Sequence, residues 1–146
     1  MLTFFFFTNL TATAVMTGLI WTIQLVHYPF FHRLEKEKFN LHMDEHRKKI
    51  SFIVLPVMLI ELVTSVGLVL MESSFRGALV IGLLMLIFIW FSTALLQVPS
   101  HNKLASGYSK KEADKLVKFN WIRTILWTGR LILMLLILSQ LSLFDL

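Results

Sequence analysis

Four long apolar runs constrain this chain more than any other feature of its sequence. They cover approximately residues 4–31, 50–71, 77–98 and 119–143. A helix needs about 20 consecutive apolar residues to cross a hydrocarbon core about 30 Å thick, and each run reaches that length. The runs are continuous rather than alternating, which argues against a transmembrane β-barrel. The sequence therefore predicts an all-α integral membrane protein with a single transmembrane domain over residues 1–146.

The composition supports this class of protein. Hydrophobic residues make up 56 % of the chain and charged residues only 16 %, which is too apolar for an ordinary soluble domain. The absence of cysteine excludes disulfides and thiolate metal ligands. Nothing in the composition identifies a cofactor, so the cofactor is left open.

The positive charge is concentrated in two loops. Eleven of the fourteen basic residues follow the first or third apolar run, and these are Arg33, Lys36, Lys38, Arg47, Lys48, Lys49, Lys103, Lys110, Lys111, Lys115 and Lys118. The other connection contains only Arg76. Because basic loops stay on the cytoplasmic side, we expect both termini outside, in a bacterial cytoplasmic (inner) membrane. The net charge of +5 is thus a topology signal and does not indicate a nucleic-acid partner.

Short connections between the runs predict an antiparallel four-helix bundle. The loop after the first run lacks glycine and proline, so the flanking helices are able to continue into it. Ser109 and Glu112 match a capping box that would start the fourth helix well before the membrane. Pro29 and Pro99 are expected to end or kink the first and third helices.

Polar side chains recur at helical spacing inside all four runs. They are Gln24, His27 and Tyr28 on the first helix, Glu61 on the second, Trp90, Thr93, Gln97 and His101 on the third, and Asn120, Arg123, Trp127 and Arg130 on the fourth. On the third and fourth helices the intervals of three, four and seven residues place them on single faces. Polar groups within a bilayer cost free energy, so we expect these faces to meet in a common interior.

Glu61 and Arg130 are predicted to lie near the membrane midplane. Each follows about a dozen residues of helix from the cytoplasmic side, or about 18 Å. An unpaired charge at that depth costs at least ~2.5–3.5 kcal/mol, so the two are expected to pair. Whether the pair only locks the bundle or takes part in function is left open.

A pocket at the cytoplasmic end is the leading hypothesis for function. His27, His101 and Arg123 are its candidate catalytic residues: Arg123 would stabilise developing negative charge, and a histidine would move a proton. The candidate substrate-binding residues are Gln24, Gln97, Asn120, Trp127, Glu61 and Arg130. The alternative is that the histidines are ordinary interfacial residues and that Arg123 extends outward to lipid headgroups.

His42 and His46 form an H-x-x-x-H pattern. On a helix this spacing puts two imidazoles on one face, a geometry that binds zinc or other divalent metals. The intervening residues do not match the metalloprotease order, in which a glutamate directly follows the first histidine. A solvated charged face is the alternative interpretation.

Two short segments stand out together: Val98 to Leu104 (VPSHNKL) and Asn120-Trp121-Ile122-Arg123-Thr124. They resemble the corresponding segments of the anthrone-oxygenase-like family of small four-helix membrane proteins. Chain length and number of spans are similar as well, although the first helix shares only a Tyr-Pro end. The resemblance implies oxygenation of electron-rich polycyclic phenols without a tightly bound cofactor.

These features of the sequence are compatible with three functions. The first is a membrane oxidoreductase whose lipophilic aromatic substrate enters from membrane lipid. The second is a metal- or haem-binding protein that uses His27, His101, His42 and His46. The third is a transport or structural subunit with Glu61 and Arg130 as a relay, which would require a homo-oligomer because four helices leave little room for a conduit.

Overall fold

A computed structural model describes residues 1–31, 39–72 and 74–144, and this part of the chain is almost entirely helical. The helices are α1 (Leu2–Phe30), α2 (Phe39–Met71), α3 (Arg76–Ser106) and α4 (Lys110–Phe144). No strand occurs within these ranges, so the predicted all-α class is confirmed. Each helix contains a stretch long and apolar enough to cross a membrane. The chain therefore has the architecture of an integral membrane protein.

The four helices form an antiparallel bundle, as the sequence predicts. Asn9 near the start of α1 is hydrogen-bonded to Ser65 near the end of α2. Tyr28 at the end of α1 contacts His101 near the end of α3 and Arg123 in the first half of α4. Each helix packs on its sequence neighbours, and α4 closes on α1. We call the end where α1 begins and α4 ends the terminal end, and the opposite end the basic end.

The helices extend beyond the apolar runs at the basic end. Helix α2 begins at Phe39 rather than near residue 50, α3 continues to Ser106, and α4 begins at Lys110 rather than near residue 119. The start of α4 agrees with the capping box, because the Glu112 N–H donates to Ser109 Oγ at 3.4 Å. Hydropathy detects only the part of a helix that lies in lipid, which explains the shorter predicted limits.

Two of the three prolines, Pro29 and Pro99, are each preceded by a widened turn of their helix. A π-helical turn covers Ile23–His27 in α1 and Thr93–Gln97 in α3, and each turn ends two residues before a proline. Proline has no N–H, and its ring collides with the carbonyl four residues earlier, so a turn with one extra residue relieves the conflict. Of the two expected effects, ending or kinking the helix, ending does not occur at Pro99, because α3 continues to Ser106, whereas α1 ends at Phe30, directly after Pro29.

Apolar and polar layers alternate along the bundle interior. One apolar cluster near the terminal end includes Phe6 and Leu68, a central one includes Met16 and Met58, and one at the basic end includes Phe31. Buried polar side chains occupy the two intervals between these clusters. The outer surface carries exposed apolar side chains, as a lipid-facing surface does. The layer nearer the basic end forms the candidate site.

Candidate functional site

Arg123 lies inside the bundle and, within the described part of the chain, is hydrogen-bonded only to uncharged groups. Its side chain is 6 % exposed. Its Nε and Nη2 donate to Asn120 Oδ1 at 3.1 and 2.5 Å, and Nη2 and Nη1 also reach Tyr28 Oη and Thr93 Oγ1, both at 3.4 Å. Among the described residues no carboxylate pairs with it. A buried cation without a counter-ion is costly, so this geometry favours an anionic partner.

Asn120 and Gln24 hold the guanidinium in place. Asn120 is fully buried, and its Nδ2 donates to Gln24 Oε1 at 2.7 Å. Gln24 Nε2 in turn donates to the Val117 carbonyl at 3.3 Å. The π-helical turn of α1 places Gln24 inside the bundle, where it is 3 % exposed. Both amides have their oxygen directed at a donor, which fixes the orientation of Arg123 from α1 and α4 together.

Tyr28 links Arg123 to His101. The tyrosine hydroxyl accepts from Arg123 and lies 3.1 Å from His101 Nε2. Arginine can only donate, so the hydroxyl hydrogen is free to point at Nε2. We assign this arrangement, which places the histidine proton on Nδ1. His101 Nδ1 is buried and has no hydrogen-bond partner in the described part of the chain. A proton can be exchanged between the Tyr28 hydroxyl and the His101 ring, while Arg123 only donates to the hydroxyl.

These groups line a cavity of about 490 Å³. This volume is within the range of about 300–1,000 Å³ that is usual for small-molecule sites. Its described lining contains no acidic residue; it consists of apolar side chains, neutral polar side chains, histidines and three basic residues, Arg47, Lys48 and Arg123. Arg47 and Lys48 are each paired with Asp44, at 3.0 and 2.7 Å. Both of these residues are at least one-third exposed and share this one carboxylate, whereas Arg123 is the buried cation of the lining and has no carboxylate partner among the described residues.

Gln97 and Trp90 supply further polar groups to the cavity lining. Gln97 is 1 % exposed, and neither its Nε2 nor its Oε1 has a described partner. Trp90 Nε1 is also buried and has no hydrogen-bond partner among the described residues. Leaving a buried donor or acceptor unsatisfied costs about 1–3 kcal/mol each. The cavity thus offers several unused hydrogen-bonding groups beside Arg123.

The cavity opens toward lipid between α2 and α3. Four residues line the cavity and are also exposed on the outer surface: Ser51 and Leu55 of α2, and Ala94 and Val98 of α3. All four residues belong to segments that are apolar enough to lie in a membrane. Two of them, Ser51 and Ala94, are small, so the gap is not filled by side chains. A lipophilic molecule in the bilayer would have direct access to the interior.

Of the other candidate histidines, His46 lines this cavity and His27 packs against His46. His27 stacks on His46 with ring centroids 3.9 Å apart and is not among the side chains that line the cavity, whereas His46 is. The His46 and His101 rings are 6.0 Å apart. The side chain of His42 is outside the described part of the structure. Within that part, no group of three or more His, Cys, Asp or Glu residues is arranged to hold a metal ion.

Glu61 and Arg130 meet in the second polar layer, nearer the terminal end. Their Oε1 and Nη2 are 3.5 Å apart, and the side chains are 0 % and 2 % exposed. Thr13 donates to Glu61 Oε1 at 2.8 Å, and Trp127 Nε1 donates to Oε2 at 3.0 Å. Arg130 also donates to the Gly82 carbonyl. Neither charged residue lines the cavity, but Trp127 does and thus separates the ion pair from it.

Several residues of these two layers escape sequence reasoning. Asn9 donates to the Glu61 carbonyl, Thr64 Oγ1 and Ser65 Oγ at 3.0, 2.8 and 2.9 Å. The polar residues Asn9, Thr13 and Thr17 are spaced by four, so their helical periodicity is a signal that could have identified this face of α1. Nothing in the sequence singles out Ser65 as a partner of Arg130 at 3.2 Å.

Comparisons with family models, characterised proteins and solved structures give no match to this chain. The fold and the geometry of the site are therefore the basis on which its function is inferred.

Proposed function

We propose that this integral membrane protein binds a lipophilic molecule with an acidic oxygen, which enters from the bilayer between α2 and α3. The acidic group would lie against Arg123 and Gln97, and the apolar body would fill the cavity toward Met16 and Met58. The observation that carries this proposal is the buried guanidinium without a described carboxylate, in a cavity whose described lining has no acidic residue. A carboxylate, phenolate or enolate would supply the missing charge.

The neighbouring groups support proton transfer to or from this molecule. His101 Nδ1 has no described partner, and its Nε2 is within hydrogen-bonding distance of Tyr28. In the proposed reaction His101 exchanges a proton with the substrate while Arg123 stabilises the anion. Gln97 and Asn120 orient the acidic group and the guanidinium. The chain would then be an enzyme.

Oxygenation of an aromatic phenol is one reaction that such a site would serve. It is the reaction implied by the resemblance of residues 98–104 and 120–124, and a phenolate held by Arg123 would be its starting species. Purified protein supplied with a lipophilic phenol should then consume dioxygen, and H101A should lower the rate more than K103A does, because Lys103 is exposed. Equal rates with and without the protein would eliminate oxygenation but not acid binding.

Acid binding is tested by comparing a long-chain acid with its neutral analogue. The wild-type protein in detergent micelles should bind hexadecanoic acid at least tenfold more tightly than hexadecanol, because a hydrogen bond to a charged group contributes about 1.5–3 kcal/mol. Isothermal titration at neutral pH, with the micelle concentration held constant, gives both affinities. Equal affinities would show that the cavity does not select an anion and would overturn the proposal.

We propose that the protein lies in the bacterial cytoplasmic membrane with both termini outside, since eleven basic residues lie between the first and second apolar runs or between the third and fourth. A reporter that is active only outside the cytoplasm should be active when fused after Leu146 and inactive when inserted at Lys110. The opposite pattern would show that the basic end, and with it His101 and Lys48, faces outward.

A further inference from the structure

The unpaired hydrogen-bonding groups of the cavity lie at two levels. Gln97 shares the level of Arg123, because both surround the Tyr28–Thr93 region near the basic end. Trp90 lies deeper, since it packs against the central apolar cluster that contains Met16, Ile20, Met58, Ile89 and Trp127. The side chains of Trp90 and Gln97 both line one continuous cavity, although their unpaired polar atoms are enclosed by neighbouring side chains, so a ligand reaches these atoms when those neighbours shift. A ligand that bonded only to Arg123 and Gln97 would leave the Trp90 N–H without a partner.

The distance between the two levels follows from the helix. Trp90 and Gln97 are seven residues apart on α3, and the π-helical turn at Thr93–Gln97 lies between them. An α-helix rises 1.5 Å per residue and a π-helical turn rises less, so the separation along the axis is at most about 10 Å. Between them the wall is mostly apolar, and Ile20, Met58 and Ala94 contribute to it. The shape corresponds to an elongated apolar body with a polar group at each level.

The chemistry of Trp90 determines what the deeper group must be. An indole N–H is a donor only, so its partner has to be an acceptor such as a carbonyl or ether oxygen. Buried tryptophans usually find such a partner. A water molecule is a poor candidate here because it needs two to four polar neighbours, and the central cluster around Trp90 is apolar.

We propose that the ligand of this cavity carries a second oxygen function, an acceptor about 10 Å from its acidic group, and that the Trp90 N–H donates to it. Trp90 is then a specificity-determining residue. It selects oxygenated lipophilic acids over plain hydrocarbon acids of the same length. This inference rests on the proposed function, because the acid must first be anchored at Arg123.

The test combines a change in the ligand with a change in the protein. The ligands are hexadecanoic acid and a keto acid of the same chain length, with the keto oxygen about 10 Å from the carboxylate. Wild-type protein should bind the keto acid about five- to tenfold more tightly, as expected for one net hydrogen bond. In W90F the preference should vanish or reverse, because the buried ketone then lacks a donor. W121F, which removes a tryptophan that is 40 % exposed, should keep the preference.

A second ligand makes the test independent of how well W90F folds. A keto acid with its oxygen only about 5 Å from the carboxylate should show no preference over hexadecanoic acid in the wild-type protein. Equal binding of all three acids to wild type, or a keto preference that survives in W90F, would overturn the role of Trp90 while leaving the acid site intact. If wild type binds none of the acids, the proposed function fails and this inference fails with it.

Discussion

Replacing Glu61 or Arg130 alone with glutamine should lower the free energy of unfolding by about 3–5 kcal/mol, and replacing both should cost less than the sum. Each single change leaves one charge buried without its partner, at 0 % or 2 % exposure. Trp127 and Thr13 stabilise the carboxylate, but they are neutral and cannot compensate Arg130. The double variant removes both charges, so part of the loss should be recovered.

The exposed pair Glu45–Lys49 is the matched control. Its atoms are only 2.6 Å apart, yet the side chains are 56 % and 75 % exposed. The same glutamine substitutions there should change stability by less than about 1 kcal/mol. Unfolding in detergent, measured for both sets of four proteins, gives the coupling energies. The buried pair is not coupled if the losses of unfolding free energy caused by the two single substitutions add up in the double variant. The same conclusion follows if each single loss is as small as in the control pair.

Replacing Asn120 with aspartate should abolish most acid binding without unfolding the protein. The new carboxylate would occupy the position of the amide oxygen that accepts from Arg123 Nε and Nη2. Arg123 would then have an internal counter-ion and no further need of an anionic ligand. We expect the affinity for hexadecanoic acid to fall about 100-fold, since close pairing and repulsion from the carboxylate act together. The affinity for hexadecanol should change little. The second carboxylate oxygen would take the place of the Nδ2 that donates to Gln24 Oε1, so the Gln24 amide would have to turn its N–H toward the carboxylate for the melting temperature to stay at the wild-type value.

Asn102 offers the same chemical change outside the cavity. Its Oδ1 accepts from Arg47 Nη1 at 2.5 Å, and the residue is exposed. N102D should therefore leave the affinity for the acid within about twofold, because exposed charges are well screened. R123Q should weaken acid binding about as much as N120D. If N120D binds the acid as tightly as wild type does, Arg123 is not the anion site.

Much of the architecture could be predicted because lipid imposes a strong constraint on sequence. The continuous apolar runs give four helices, and the short connections give their antiparallel order. The periodic polar residues of α3 and α4 indicate which faces point inward, since lipid-facing positions cannot carry Gln97 or Arg123 cheaply. The equal depth of Glu61 and Arg130 gives their pairing for the same reason.

The remaining features depend on interactions that one helix alone does not reveal. The sequence places Tyr28 on a polar face, but an aromatic belt explains a tyrosine near a membrane-helix end equally well, so its contacts with Arg123 and His101 could not be foreseen. A proline is able to end, bend or widen a helix, and packing decides which. The cavity is a space left by side chains of all four helices, so its size and its opening at Ala94 follow only from the assembled bundle.

An experimental structure with a brominated long-chain acid tests the central proposal most directly. The bromine fixes the position of the chain, and the carboxylate position follows from the same map. We expect the carboxylate within about 3 Å of the Arg123 guanidinium and of the Gln97 amide, with the chain extending toward Met58 between α2 and α3. A carboxylate at the membrane surface beside Lys110 or Lys115, with the cavity filled by water or side chains, would contradict it.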